Sequence, residues 1–216
     1  MPVWVLSKGR QQTVRGVIIR AILPSFLVAL LLIMLIVMGS TTPISPCDES
    51  LLKIIIYTDF ECGACGRLHR EVEPELRGRY VAGGKAQIEI RLLGAMSPDS
   101  MRAAQAALCA RDQGRFLEYQ DAVFAAWREQ EEDYSVFSAE ALAQLAAALD
   151  LDEAVFTSCL NSQAKKPEIE ENMNMAQTDG VSTLPTLLVG NVTIQGRKPL
   201  DTYIQAIETV LATRPL

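Results

Sequence analysis

The sequence predicts an α/β domain with a helical insertion, preceded by a single N-terminal transmembrane helix. Three observations predict it. Residues 21–38, AILPSFLVALLLIMLIVM, carry no charge and are long enough to cross a bilayer. Residues 51–57, LLKIIIY, form the dense apolar run of a strand buried on both faces. From Arg115 to about Ser162 the apolar spacing is helical almost throughout, and two short strand patterns and a last helix follow.

The N-terminal segment sets the expected compartment. Lys8, Arg10, Arg15 and Arg20 precede the apolar run, and no acidic residue occurs before Asp48. An excess of Lys and Arg keeps its side in the cytoplasm, so everything past about residue 40 is expected outside. The chain then divides into a cytoplasmic tail at 1–16, a transmembrane anchor at 17–39, a linker at 40–50 and a domain at 51–216. A cleaved signal peptide is the alternative, with Val37 and Gly39 small enough to precede a cut; the apolar core is longer than the usual signal core and favours an anchor. The expected localisation is the cytoplasmic membrane, single-pass, with the domain on the extracytoplasmic side. The linker, STTPISPCDES, is polar and proline-bearing, as a short tether should be. The net +4 of residues 1–20 leaves −10 for the rest of a chain whose total is −6, and so acidic a domain argues against nucleic-acid binding.

The strand at 51–57 runs into Cys62 and Cys65, separated by Gly63 and Ala64, and Arg67, Leu68 and His69 then open a helical pattern. A C-x-x-C pair therefore stands where a strand feeds the first turn of a helix. Unpaired N–H groups and a partial positive charge there stabilise a thiolate. Cys62 is expected to have the lowered pKa and to be the attacking sulfur, with Cys65 deeper and acting as the resolving thiol. The pattern is that of a dithiol/disulfide redox site. Zinc is the rival reading, since Cys62, Cys65 and His69 have half-site spacing. Against it, His69 is the only histidine and no second C-x-x-C exists.

The helix after the motif is expected from about Gly63 to Arg79, with Leu68, Val72 and Leu76 on one face and Pro74 interrupting it. Residues 86–93, AQIEIRLL, alternate as a strand does. Ser97-Pro98-Asp99 suits a helix start, serine as cap and proline at the first position, and this helix runs to Asp112. The insertion spans about 98–165 and carries three stripes: Phe116, Tyr119, Val123 and Phe124; Leu142, Leu145 and Leu149; and Val155, Phe156, Cys159 and Leu160. Asp150 with Glu153 is expected to open the third. Glu129 to Asp133 reads as a solvated loop. A helix at Lys166 to Thr178 ends at Gly180, strands at Thr186 to Val189 and Val192 to Gln195 flank a Gly190-Asn191 turn, and a helix from Leu200 to Ala212 closes the chain.

With these segments in order, residues 51–212 resemble the thioredoxin superfamily, specifically its DsbA-like branch with a helical insertion. The strand–CGAC–helix unit, DQGRFLEYQDAVF, VFTSCL and GVSTLPTLLVGN carry the resemblance. It implies a thioredoxin-like fold and a protein thiol–disulfide oxidoreductase without a cofactor. Pro185 should be a cis-proline opposite the Cys62–Cys65 disulfide, and Leu184, Pro185, Gly63 and Ala64 should border the substrate cleft, where a substrate segment adds like a strand. The implied partners are cysteine-containing exported proteins and a membrane redox partner of the DsbB or VKOR type. Two departures stand out. Many relatives carry a buried Glu where this chain has Ile56, and strongly oxidising members carry Pro-His where this chain has Gly63-Ala64. Less thiolate stabilisation implies a less oxidising disulfide.

Outside the cytoplasm disulfides persist. With Cys62 and Cys65 paired, Cys47, Cys109 and Cys159 allow three single pairings. Cys109 and Cys159 lie at positions that face the interior of the helical block, whereas Cys47 lies in the tether. A structural Cys109–Cys159 disulfide is expected, with Cys47 free or paired between chains. The functional expectation is oxidation of cysteine pairs in exported proteins. The alternatives are a thiol reductase for exported substrates such as apocytochromes, or a non-catalytic module that binds metal or peptide.

Overall fold

The computed structural model describes residues 51–129 and 133–214. The expected tail, span and linker, Cys47 included, lie outside the described residues. Among the described residues no helix is long and apolar enough to cross a membrane.

Four strands form one sheet in the order β2-β1-β3-β4. β1 (Leu52–Thr58) is an inner strand, parallel to β2 (Ala86–Leu92) and antiparallel to β3 (Thr186–Val189), which pairs with β4 (Val192–Gln195). Ile54 and Ile56 are fully buried on one face. The expectation of burial on both faces holds only at the far end, where Tyr57 and Thr58 are enclosed. Lys53 is exposed and pairs with Glu89 at 2.8 Å, because the near end of that second face is uncovered.

The crossover from β1 to β2 begins with α1 (Gly63–Glu71) and continues through the short α2 (Glu73–Leu76) and a π-helical turn at Arg77–Val81. The expected single helix is divided at Val72. Pro74 has no N–H to give the preceding turn, and Val72 takes φ −115°, outside the helical range. Leu68, Val72 and Leu76 still share a face and pack on Ile54, Ile56 and Leu187. The last helix, α8 (Leu200–Thr213), adds Tyr203, Ile207 and Val210 to that core. α7 (Lys166–Thr178) puts Ala176 beside Tyr57 on the opposite face.

Between β2 and α7 stand α3 (Pro98–Asp112), α4 (Phe116–Glu129), a 3-10 turn (Tyr134–Phe137), α5 (Ala139–Ala148) and α6 (Glu153–Asn161). Ser97 caps α3 in a reciprocal box with Ser100. Tyr119, Val123, Phe124, Leu142, Phe156 and Leu160 are buried in one core with residues of α3. Three expectations need correction. Asp152, not Asp150, caps α6; Asp150 sits at φ 57° in the turn before it. Val155 is 53% exposed, off the face that Phe156 and Leu160 bury. Of the expected loop at Glu129 to Asp133, Glu129 ends α4 and residues 130–132 lie outside the described residues; exposed Asp133 accepts the Ser135 N–H at 2.9 Å and starts the 3-10 turn that buries Val136 and Phe137.

Candidate active site

β1 ends at Thr58, and the chain turns through Asp59, Phe60 and Glu61 to Cys62, the N-cap of α1. Cys62 and Cys65 are joined in a disulfide, their Cα atoms 5.1 Å apart. Cys65 is fully buried and Cys62 is 9% exposed, so Cys62 is the sulfur that solvent reaches. The Cys65 N–H donates to the Cys62 carbonyl at 2.8 Å and also to Cys62 Sγ at 3.2 Å. The Cys65 amide in the first turn of α1 is thus shared between the Cys62 carbonyl and the outer sulfur.

Two buried carboxylates hold this loop. Asp59, 1% exposed, accepts the N–H groups of Glu61 at 3.0 Å and Ala95 at 2.8 Å. Glu61, 8% exposed, accepts the Ser97 hydroxyl. The Ser100 hydroxyl lies 3.3 Å from Asp59 Oδ2. The redox loop is thus fastened to the N-terminal turn of α3. Sequence reasoning gave Asp59 and Glu61 no role; the signal was two acids directly before the motif and two serines, Ser97 and Ser100, at the start of the next helix. Ile56 is fully buried and pairs with Ile90 and Leu187, so an apolar side chain occupies that place.

The Leu184–Pro185 bond is cis. Thr186, the next residue, pairs with Tyr57, so this loop reaches the sheet at the end where β1 departs toward Cys62. Leu184 is partly buried against the core that contains Cys62 and Cys65, and Ala64 packs on the same core. Gly63 is half-buried. At the other side of α1, Phe124 of α4 lies 4.9 Å from the Phe60 ring. A Cβ on Gly66 would come within 3.3 Å of Phe124 Cδ1, so the bare backbone at 66 lets α4 approach α1.

His69 pairs with two carboxylates. Its Nδ1 lies 3.1 Å from Glu73 Oε2 and its Nε2 lies 2.6 Å from Asp121 Oδ1. Both ring nitrogens are engaged. Burial pulls the His69 pKa down, but the hydrogen bonds and charges of Glu73 and Asp121 together raise it above its ordinary 6.5. In the insertion, Cys109 of α3 and Cys159 of α6 are joined in a second disulfide, with Cα atoms 5.9 Å apart.

The family model for thioredoxin matches residues 47–209. The chain belongs to the thioredoxin family. The proteins it is similar to include DsbA-like ones. A probable disulfide bond formation protein D of Bacillus anthracis is 25% identical, over 67% of this chain and 68% of that protein. The oxidised BdbD structure from Bacillus subtilis shares the fold at a TM-score of 0.68 and 17% identity, over 76% of this chain and 90% of that one. DsbA from Chlamydia trachomatis does so at a TM-score of 0.67 and 22% identity, over 78% and 91%. The thioredoxin-like chain also matches two longer curated relatives, the Na(+)/H(+) antiporter NhaA of Herminiimonas arsenicoxydans and NhaA 3 of Salinispora tropica, and spans 24% of the length of each.

Proposed function

We propose that this protein is a thiol–disulfide oxidoreductase that oxidises cysteine pairs of exported proteins through its Cys62–Cys65 disulfide. The observation that carries the reading is the disulfide at the N-terminus of α1, with the exposed sulfur accepting the Cys65 N–H and its partner sulfur enclosed. A substrate thiolate attacks Cys62 Sγ. The Cys62–Cys65 bond breaks, Cys65 leaves as a thiolate, and a mixed disulfide forms between substrate and Cys62. The second substrate thiolate attacks the substrate sulfur of that bond and expels Cys62 as a thiolate, which the helix terminus and the Cys65 N–H stabilise. Two electrons pass from the substrate dithiol to the pair, and the substrate leaves with a disulfide. The Leu184–Pro185 loop borders the cleft and offers its backbone to the substrate segment, with Gly63 and Ala64 leaving room at the sulfur. Further oxidation cycles require a membrane partner of the DsbB or VKOR type. The anchor at 17–39 would hold the domain at the extracytoplasmic surface.

Reduction of disulfides in exported substrates is the second reading, favoured by the Gly63-Ala64 pair, which adds no imidazole to stabilise Cys62. One experiment separates the readings. Full-length protein in detergent is equilibrated with glutathione buffers, and its oxidation of a reduced two-cysteine peptide is followed. A reduction potential above roughly −200 mV with rapid peptide oxidation supports the oxidase, and one near or below roughly −270 mV supports the reductase. A Cys62–Cys65 pair that exchanges with neither peptide nor glutathione overturns both.

A further inference from the structure

Beside the disulfide, α1 and α4 enclose an open groove of about 360 Å³. Gly63 and Gly66 of α1 line it together with the rings of Phe124 and Trp127 of α4. The remaining lining residues are Arg67, Arg70 and Arg128, all exposed. Arg67 and Arg70 stand four and seven residues after Gly63, on the same face of α1.

Trp127 is only 5% exposed, and its indole N–H has no acceptor among the described residues. A buried donor left unmet is destabilising, so an incoming acceptor is favoured there. The polar side chains that line the groove are therefore donors, and three of the four are cations. Among the described residues, two acids near Arg70 are already engaged. Glu71 lies 3.6 Å from Arg70 and is also held by Arg197, so two guanidinium groups share one carboxylate. Asp121, which lines an adjoining cavity, is held by His69 at 2.6 Å. This is a cationic patch on a chain of net charge −6.

We infer that the groove binds a carboxylate-bearing segment of the protein substrate beside the reacting cysteine, so that the enzyme favours cysteines flanked by Asp or Glu. The inference rests on the exchange reaction proposed above. Guanidinium forks accept carboxylates with two parallel hydrogen bonds, and the aromatic rings take the apolar stems of the same side chains. The reach is short. Gly63 follows Cys62 directly, and Arg67 lies about 6 Å further along the helix axis, a distance two or three extended substrate residues span.

The test uses full-length protein in detergent and two synthetic peptides, each with one cysteine pair and differing only in whether Glu or Lys flanks the cysteines. Their rates of exchange with the Cys62–Cys65 disulfide are measured, as is the binding of fluorescent versions carrying serine in place of cysteine. At low salt the Glu peptide should exchange and bind roughly tenfold better than the Lys peptide, and the gap should narrow at about 0.5 M salt. Arg67→Glu should collapse or reverse the ratio. Trp127→Phe, which keeps the ring and removes the N–H, should weaken binding of the Glu peptide several-fold more than that of the Lys peptide. Equal binding of both peptides, a preference indifferent to Arg67→Glu, or affinity for phosphatidylglycerol vesicles alone overturns the inference. Selective binding of the serine peptides without exchange of the cysteine peptides would leave the groove standing and remove the oxidoreductase reading.

Discussion

The Ser97 hydroxyl donates to the carboxylate of Glu61, the residue directly before Cys62. The same oxygen accepts the N–H groups of Asp99 at 3.0 Å and Ser100 at 3.1 Å, so one side chain caps α3 and anchors the redox loop. Ser97→Ala should lower stability by about 1–2 kcal/mol, the usual cost of a lost helix cap, and Ser97→Thr should recover most of it. Urea unfolding of the oxidised protein measures both. An alanine variant as stable as the parent would remove Ser97 from this role.

Gly94 precedes Ala95, whose N–H holds Asp59, and it takes φ 56° with its Cα packed against α3. A Cβ at 94 would come within 2.7 Å of Met101 Cα, a backbone atom that cannot swing aside. Gly94→Ala should cost about 2–3 kcal/mol, from left-handed backbone and overpacking together. The comparison is Gly83→Ala, where the nearest atom is an Arg79 carbonyl oxygen at 3.5 Å and φ is not positive. That variant should unfold within about 1 kcal/mol of the parent.

The disulfide between Cys109 and Cys159 spans a sequence separation of 50 and ties α3 to α6. Replacing both cysteines by alanine should cost about 2–4 kcal/mol and leave the helix content intact. Denaturant titration with Cys62 and Cys65 kept oxidised isolates this effect, and an unchanged midpoint would count against a stabilising role.

His69 joins α1 to α2 through Glu73 and to α4 through Asp121. Its pKa is raised in the folded protein, so the native state holds the proton more tightly than the unfolded chain. That contribution is complete below the unfolded value of about 6.5 and is lost as pH rises through the higher native value. Stability should therefore decline as pH rises above about 6.5. His69→Asn should flatten that decline. A parent protein whose urea midpoint is constant over this range would refute the coupling.

Cys62 is reached by solvent and Cys65 is not. Brief alkylation of the reduced protein should label Cys62 first, and Cys65→Ser should accumulate mixed disulfides through Cys62. Mass spectrometry of the trapped species decides it, and preferential trapping at Cys65 would reverse the assigned order.

The order of elements was legible in the sequence by itself, because hydrophobic period and breakers are local properties. The apolar run at 51–57, Ser97-Pro98 before α3, Gly180 after α7 and Gly190-Asn191 between β3 and β4 each mark a boundary that the structure has. So was the position of Cys62 and Cys65 at a strand-to-helix junction. Tertiary structure alone decided which partners the polar groups take. Asp59 and Glu61 are neighbours of the motif in sequence, but Ala95, Ser97 and Ser100, which engage them, come from beyond β2. His69 has zinc-like spacing to the cysteines, yet the approach of α4 at Gly66 gives it Asp121 instead. The capping residue of α6 shifted from Asp150 to Asp152 for the same reason: several acids satisfy the local rule, and packing of Phe156 and Leu160 into the core selects the helix phase. Local pattern specifies where elements begin and which face is apolar. Long-range contact chooses among polar partners, because their energies depend on geometry that no single segment contains.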